Sequence, residues 1–182
     1  MTPYPNLHAL VEGQTIKYAN HLLYHDLKMT NGDFFKLVQK TAHWLKGSGV
    51  LPKSRVLMSS IPFPWAECFA FAVWTVGGTL VIANEDCFKE AKAACKPTLS
   101  IRSDMAFKKE IIALSEQYNP DFRANIRSEA LIFWTNGKGI RLSHYNLLVN
   151  ANGVQKMLDL YEQDTYFIQL RSESSTWVVL QA

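Results

Sequence analysis

No apolar run among the 182 residues approaches the ~20 that a membrane-spanning helix needs, so no membrane span is expected. The first ten residues, MTPYPNLHAL, lack both the basic start and the apolar centre of a signal peptide. Cysteine is scarce. Cys68, Cys87 and Cys95 leave an odd thiol and form no C-x-x-C pair, which points to a reduced, cytoplasmic setting. Cys68 lies in an apolar helical stretch and reads as a small buried hydrophobe rather than a reactive thiol. A strong charge of one sign is also missing: 19 Lys and Arg against 16 Asp and Glu give a net +3. These charges are scattered, with only Lys108-Lys109 and Lys138 with Arg141 close together, so no nucleic-acid partner is expected. Repeats, low-complexity tracts and clear linkers are absent. The 48% hydrophobic and 12% aromatic content instead argues for one ordered domain over residues 1–182 with a substantial core.

Taken in order, Asn6 to about Leu10 begins a short helix, and His21 to Tyr24 reads as a short strand. Asn31-Gly32 is a turn signal, with Asp33 as cap for a helix from Phe34 to about Gly47. Arg55 to Ser60 reads as a buried strand. Pro62 and Pro64 then lead into a helix from Trp65 to Val76 that is apolar nearly all round. Gly77-Gly78 stops it before a strand from Thr79 to Ala83. Strand, helix, glycine pair and strand make a βαβ unit, hence parallel pairing with a right-handed crossover. A helix from Asp86 to Ala94, a strand from Thr98 to Ile101 and a helix from Phe107 to Tyr118 follow, with Ile111, Ile112 and Leu114 inward. Arg123 to Ser128 is loop. Near the end, Thr165 to Leu170 reads as a strand, Arg171 to Thr176 as a polar solvated loop, and Trp177 to Leu180 as an apolar element. The fold class is α/β, a mostly parallel sheet flanked by helices.

The most informative stretch is Glu129 to Gly153. Ala130 to Trp134 has the composition of a buried parallel strand. Thr135-Asn136-Gly137-Lys138-Gly139 breaks it with two glycines, an amide and a lysine. A short extended piece, Ile140 to Leu142, leads to Ser143, the N-cap of a helix from His144 to about Leu160. Small residues let backbone N–H groups approach an anion and the ammonium offsets its charge, so Lys138 with Gly137 and Gly139 is the phosphate-site candidate. A tight structural turn is the other reading.

This stretch resembles the phosphate-binding motif of the adenylate-forming superfamily, which comprises acyl- and aryl-CoA synthetases, luciferases and peptide-synthetase adenylation domains. That motif runs roughly T-S-G-T-T-G-x-P-K-G-V, then x-x-S-H-x-N. Thr135-Asn136-Gly137 fits the opening, Lys138-Gly139-Ile140 fits K-G-V, and Arg141-Leu142-Ser143-His144-Tyr145-Asn146 continues in register. The middle is missing, so eleven positions become six, residues 135–140. Upstream, Lys28-Met29-Thr30, a helix and Gly49-Val50-Leu51-Pro52-Lys53-Ser54-Arg55-Val56 are similar to the family opening, with Lys53-Ser54 in place of Gly-Asp. Pro64-Trp65-Ala66-Glu67 and Gly77-Gly78-Thr79-Leu80-Val81-Ile82 are similar to later family segments at the right spacing. Gln169 to Ser174 departs from the family's P-x-x-H-x-x-G-like turn near the acyl site.

The resemblance implies the N-terminal subdomain of an adenylate-forming enzyme. It covers only the first part of the family's large lobe, without the ribose-binding acid, the adenine-side aromatic segment or the C-terminal lysine. Adenylation needs a carboxylate and an α-phosphate held in line, with charge stabilised by Mg²⁺ and cations. One lysine on a shortened loop does not supply that. The expected function is a truncated, catalytically degenerate relative that binds a partner subunit, a carrier protein or an acyl-type ligand, as a hetero- or homo-oligomer. The alternative is one piece of a split acyl-CoA or acyl-carrier-protein ligase completed by another chain. No cofactor is expected on the first reading; ATP or AMP with Mg²⁺ belongs to a loop that still works. His144 reads as a hydrogen-bonding residue at its helix start. His21 and His25 lie four apart beside Asp26 without a third ligand, so no metal is expected. Ser172, Ser174 and Ser175 with Glu173 lack a G-x-S-x-G elbow and read as solvated loop.

Overall fold

A computed structural model of the protein describes residues 4–103, 106–161, 164, 165, 167, 169 and 171–174. Helix α1 (Leu7–Tyr18) runs well past Leu10, and Asn6 caps its start, accepting from the Ala9 N–H at 2.8 Å. A small antiparallel hairpin follows, β1 (Leu22–Tyr24) and β2 (Met29–Thr30). Helix α2 (Asn31–Gly47) corrects two expectations. Asn31-Gly32 is its first turn and not a separate one, and the N-cap is Thr30. The Thr30 hydroxyl accepts from the Asp33 N–H at 3.1 Å, and the Asp33 carboxylate accepts from the Thr30 N–H at 3.2 Å. That reciprocal box satisfies two end donors at once and outweighs the turn preference of Asn-Gly.

Strand β3 (Arg55–Ser59), helix α3 (Trp65–Thr75) and strand β4 (Thr79–Ala83) form the expected βαβ unit, with β3 and β4 parallel. Helix α4 (Phe88–Cys95), strand β5 (Leu99–Arg102) and helix α5 (Phe107–Ile112) follow. Helix α5 stops six residues short of Tyr118, leaving Ile112 57% exposed. The chain departs there to seat Tyr118 on α2: its N–H donates to Gln39 Oε1 at 2.9 Å, and its ring meets His43 edge-on at 5.0 Å. Strands β6 (Glu129–Thr135) and β7 (Lys138–Ser143) and helix α6 (His144–Met157) complete the elements. Of the expected strand at 165–170, the described residues Thr165, Phe167 and Gln169 carry no strand, and the rest, like Trp177 to Leu180, lie outside the described residues.

The sheet order is β5-β3-β4-β6-β7, parallel except for β7, which runs antiparallel to β6. Alternate residues of one strand face opposite layers. Val56 and Met58 of β3 enter the main core beneath α2 and α3, while Leu57 enters a smaller cluster with Phe88, Ala91 and Cys95 of α4. Phe69 on α3 is fully buried and meets Phe107 edge-on at 4.9 Å. Burial of such a side chain stabilises by roughly 2–3 kcal/mol. Because α3 is packed all round, it fixes β3 against β4 and thereby the spacing of both sheet ends.

Candidate functional site

The candidate residues 135–139 sit at the carboxyl end of β6, where parallel α/β sheets place ligands. They form a two-residue hairpin turn. Thr135 pairs with Lys138, and between them Asn136 (φ 48°) and Gly137 (φ 73°) both occupy the left-handed region. Positive φ at both central positions is what a type I′ turn requires, and Asn-Gly is the pair that supplies it at least cost. The flanking pair spends its backbone groups on the ladder, leaving the N–H groups of Asn136 and Gly137 alone at the tip. Glu90 of α4 approaches from the other side, its Oε1 only 3.3 Å from where a Cβ on Gly137 would stand. Lys138 is exposed at the start of β7. Gly139 lies opposite Trp134, whose ring would come within 3.1 Å of an added Cβ, so this glycine lets the indole cover the hairpin. Two N–H donors and one exposed lysine, with the Glu90 carboxylate beside Gly137, make a poor anion cradle.

The second half of the stretch is anchored. Ser143 is the N-cap of α6: its hydroxyl accepts from the Asn146 N–H at 3.2 Å, and Asn146 Oδ1 accepts from the Ser143 N–H at 2.9 Å. The His144 N–H donates to the Ser128 carbonyl at 3.2 Å, and the Tyr145 N–H to that of Ile126 at 2.8 Å. The His144 side chain is fully buried, with Nδ1 accepting from the Leu7 N–H at 3.3 Å. That bond places the ring proton on Nε2, which is buried without a partner among the described residues. Burial pushes the imidazole down to about 4, so it stays neutral. His144 thus joins α6 to the start of α1 and does not reach the hairpin tip.

The other candidates scatter. The His21 ring meets that of Tyr18 at a 40° tilt with centroids 5.1 Å apart, and His25 Nε2 lies 3.4 Å from the Thr165 hydroxyl. Among the described residues no three His, Cys, Asp or Glu gather as metal ligands. Cys68 is fully buried 3.0 Å from the Thr41 hydroxyl, and burial pushes its thiol up to about 12, leaving it unreactive at neutral pH. Ser172 corrects its solvated reading. It is buried, its hydroxyl donates to Glu173 at 3.4 Å, and Glu173 accepts from Ser60 at 3.5 Å. The sequence reading gave no role to Glu67, in the first turn of α3. Burial pushes its carboxyl up to about 8, so it is mostly protonated at neutral pH despite the helix N-terminus beside it. An acid inside an otherwise apolar helix was the signal.

No family model matches the chain, and no curated protein matches it by sequence. Solved structures match its shape. A fatty acid AMP ligase from Legionella pneumophila superposes over 97% of this chain and 37% of its own, with TM-score 0.83 at 17% identity. VinN in complex with L-aspartate gives 0.81 over 96% of this chain and 58% of its own, at 13% identity. FadD1, a long-chain-fatty-acid-CoA ligase from Archaeoglobus fulgidus, gives 0.77 over 99% and 45%, at 17% identity. The chain has the fold of the N-terminal part of adenylate-forming enzymes. It spans less than two thirds of the length of each of these three proteins. The segment that resembles the phosphate motif in sequence folds here as the Asn136-Gly137 turn, with six positions, 135–140, where the pattern has eleven.

Proposed function

We propose that this chain is a catalytically degenerate member of the adenylate-forming group that works as a binding or assembly protein, holding a partner subunit, a carrier protein or an acyl-type ligand. The observation that carries this reading is the closed hairpin. With Thr135 paired directly to Lys138, the backbone that would wrap a triphosphate is committed to the sheet. The scaffold around it is kept: a parallel sheet, a densely packed α3 and a reciprocally capped α6. A folded scaffold without its phosphate loop suits recognition better than chemistry. No helix among the described residues is long and apolar enough to cross a membrane. The test is ATP–pyrophosphate exchange by the purified chain with Mg²⁺ and a panel of carboxylates. No exchange is expected; exchange that disappears in Lys138→Ala overturns the proposal.

A second reading is favoured by the lengths of the similar structures, of which this chain matches 37 to 58% in the three described. Here the chain is one piece of a split acyl-CoA or acyl-carrier-protein ligase, and the ribose-binding acid and adenylating lysine come from a second polypeptide. The neighbouring reading frame discriminates, since a split enzyme encodes those groups there. Mixing the two products would then give exchange that neither shows alone.

A further inference from the structure

At the opposite end of the sheet, the amino ends of β3, β4, β5 and β6 frame a cleft of about 540 Å³. Three cations from two segments belong to its lining: Lys53 just before β3 and Arg55 at its start, and Lys96 after α4. Arg55 is occupied, reaching Glu129 at 3.4 Å and the Cys95 carbonyl at 3.3 Å. Arg141 also pairs with Glu129. The Lys53 and Lys96 ammonium groups have no carboxylate within ion-pair distance among the described residues. Counting Lys53, Arg55 and Lys96 against Glu129, the cleft lining carries two uncompensated positive charges.

The backbone gives a second reason to single out these lysines. Lys53 has φ 68° and Lys96 φ 47°, both left-handed. A non-glycine residue there costs of order 1–2 kcal/mol, and such strain concentrates at functional sites. At 53–54 the adenylate-forming pattern has Gly-Asp, which suits that φ; this chain carries Lys-Ser instead, accepting strain and replacing an acid with a cation. Lys96 is the C-cap of α4, where glycine or asparagine is the ordinary choice. Helix-end carbonyls do not account for the two ammonium groups. The Cys95 carbonyl is taken by Arg55, that of Gly77 by the Lys53 N–H, and that of Lys92 by the Lys96 N–H. The Phe122 ring, packed against the bare Cα of Gly77, adds an apolar wall.

We propose that this cleft binds a small organic phosphate monoester, with its dianionic head between Lys53 and Lys96 and its organic part against Phe122. Two free ammonium groups match the charge of about −2 that a phosphate monoester carries at neutral pH. The proposal is independent of the hairpin at the other sheet end. Its test is an amide-resolved NMR titration of the full chain at low salt, using inorganic phosphate, phenyl phosphate and acetate as probes. Saturable shifts are expected at Lys53, Ser54, Arg55 and Lys96, with phenyl phosphate tighter than phosphate and acetate at least about tenfold weaker. Lys53→Gly and Lys96→Gly relieve the left-handed strain, so both variants should melt at or above the wild-type temperature while losing about tenfold in phosphate affinity each. Lys138→Ala should bind as wild type. The absence of saturable shifts at these amides, or wild-type affinity in the Lys53→Gly/Lys96→Gly double variant, overturns the proposal. So do shifts centred on Gly137 and Lys138.

Discussion

The two halves of the stretch from Thr135 to Asn146 have had opposite fates. The first half, up to Gly139, is a largely exposed turn whose glycines lie close to Ile132, Trp134 and the Glu90 carboxylate. The second half, from Leu142, is tied into the molecule by a reciprocal cap and by a buried imidazole on the backbone of α1. In sequence both halves look equally like a phosphate motif. In the fold, one half keeps only the turn geometry and the other only the anchoring. On the reading proposed above, a residue pattern outlasts the chemistry it is associated with because part of it also supports the core.

The largest effect expected from this contrast is in the anchored half. His144 is held neutral, its value lowered from 6.5 to about 4 by burial. The unfolded chain takes up that proton near 6.5 and the folded chain does not, so the stabilisation is complete above pH 6.5 and is lost as pH falls toward 4. At 1.36 kcal/mol per unit the loss is about 3 kcal/mol. His8, also lowered chiefly by burial, adds a slope of the same sign, whereas Glu67, raised to about 8, opposes it between 4.5 and 6.5. The readout is therefore the difference in urea-unfolding free energy between wild type and His144→Gln, followed from pH 7.5 to 4.5. A difference that does not change with pH places His144 outside the core.

Next in size, Ser143→Ala removes a cap and should cost about 1 kcal/mol by the same measurement. Gly137→Ala places a Cβ at φ 73° beside Glu90 and should cost roughly 1 kcal/mol, which sharpens the view of the tip as a turn with a strict backbone need. The smallest effect belongs to Lys138→Ala, an exposed change expected to stay within about 0.5 kcal/mol. A larger cost there would break the contrast, because the tip would then carry energy of its own.

Much of this fold was legible because its parallel strands are short apolar runs and Gly77-Gly78 marks a sharp stop before β4. The errors have local physical causes. Asn31-Gly32 carries a turn preference, but Thr30 and Asp33 at capping-box spacing decide the conformation. Periodicity extended α5 toward Tyr118, while the pull of α2 on Tyr118 ends it at Ile112. At the candidate site, Asn136-Gly137 between two extended segments fits the tight-turn reading that the sequence offered beside the phosphate one. Sequence spacing could not gather Lys53, Arg55 and Lys96, because only the parallel register of β3 with β4 and β5 brings their segments to one end. The burial that keeps Glu67 protonated is likewise a product of packing.

The reading proposed for the hairpin is that the turn at Asn136-Gly137 does not hold phosphate. It is tested most directly by titrating the labelled full chain with Mg-ATP and following the amides of Asn136, Gly137, Lys138 and Gly139 in wild type and Lys138→Ala. These four signals should stay still in both proteins, with any shifts confined to the lysines at the other sheet end. Saturable shifts at the four, abolished by Lys138→Ala, would contradict it and return the hairpin to service as a nucleotide site.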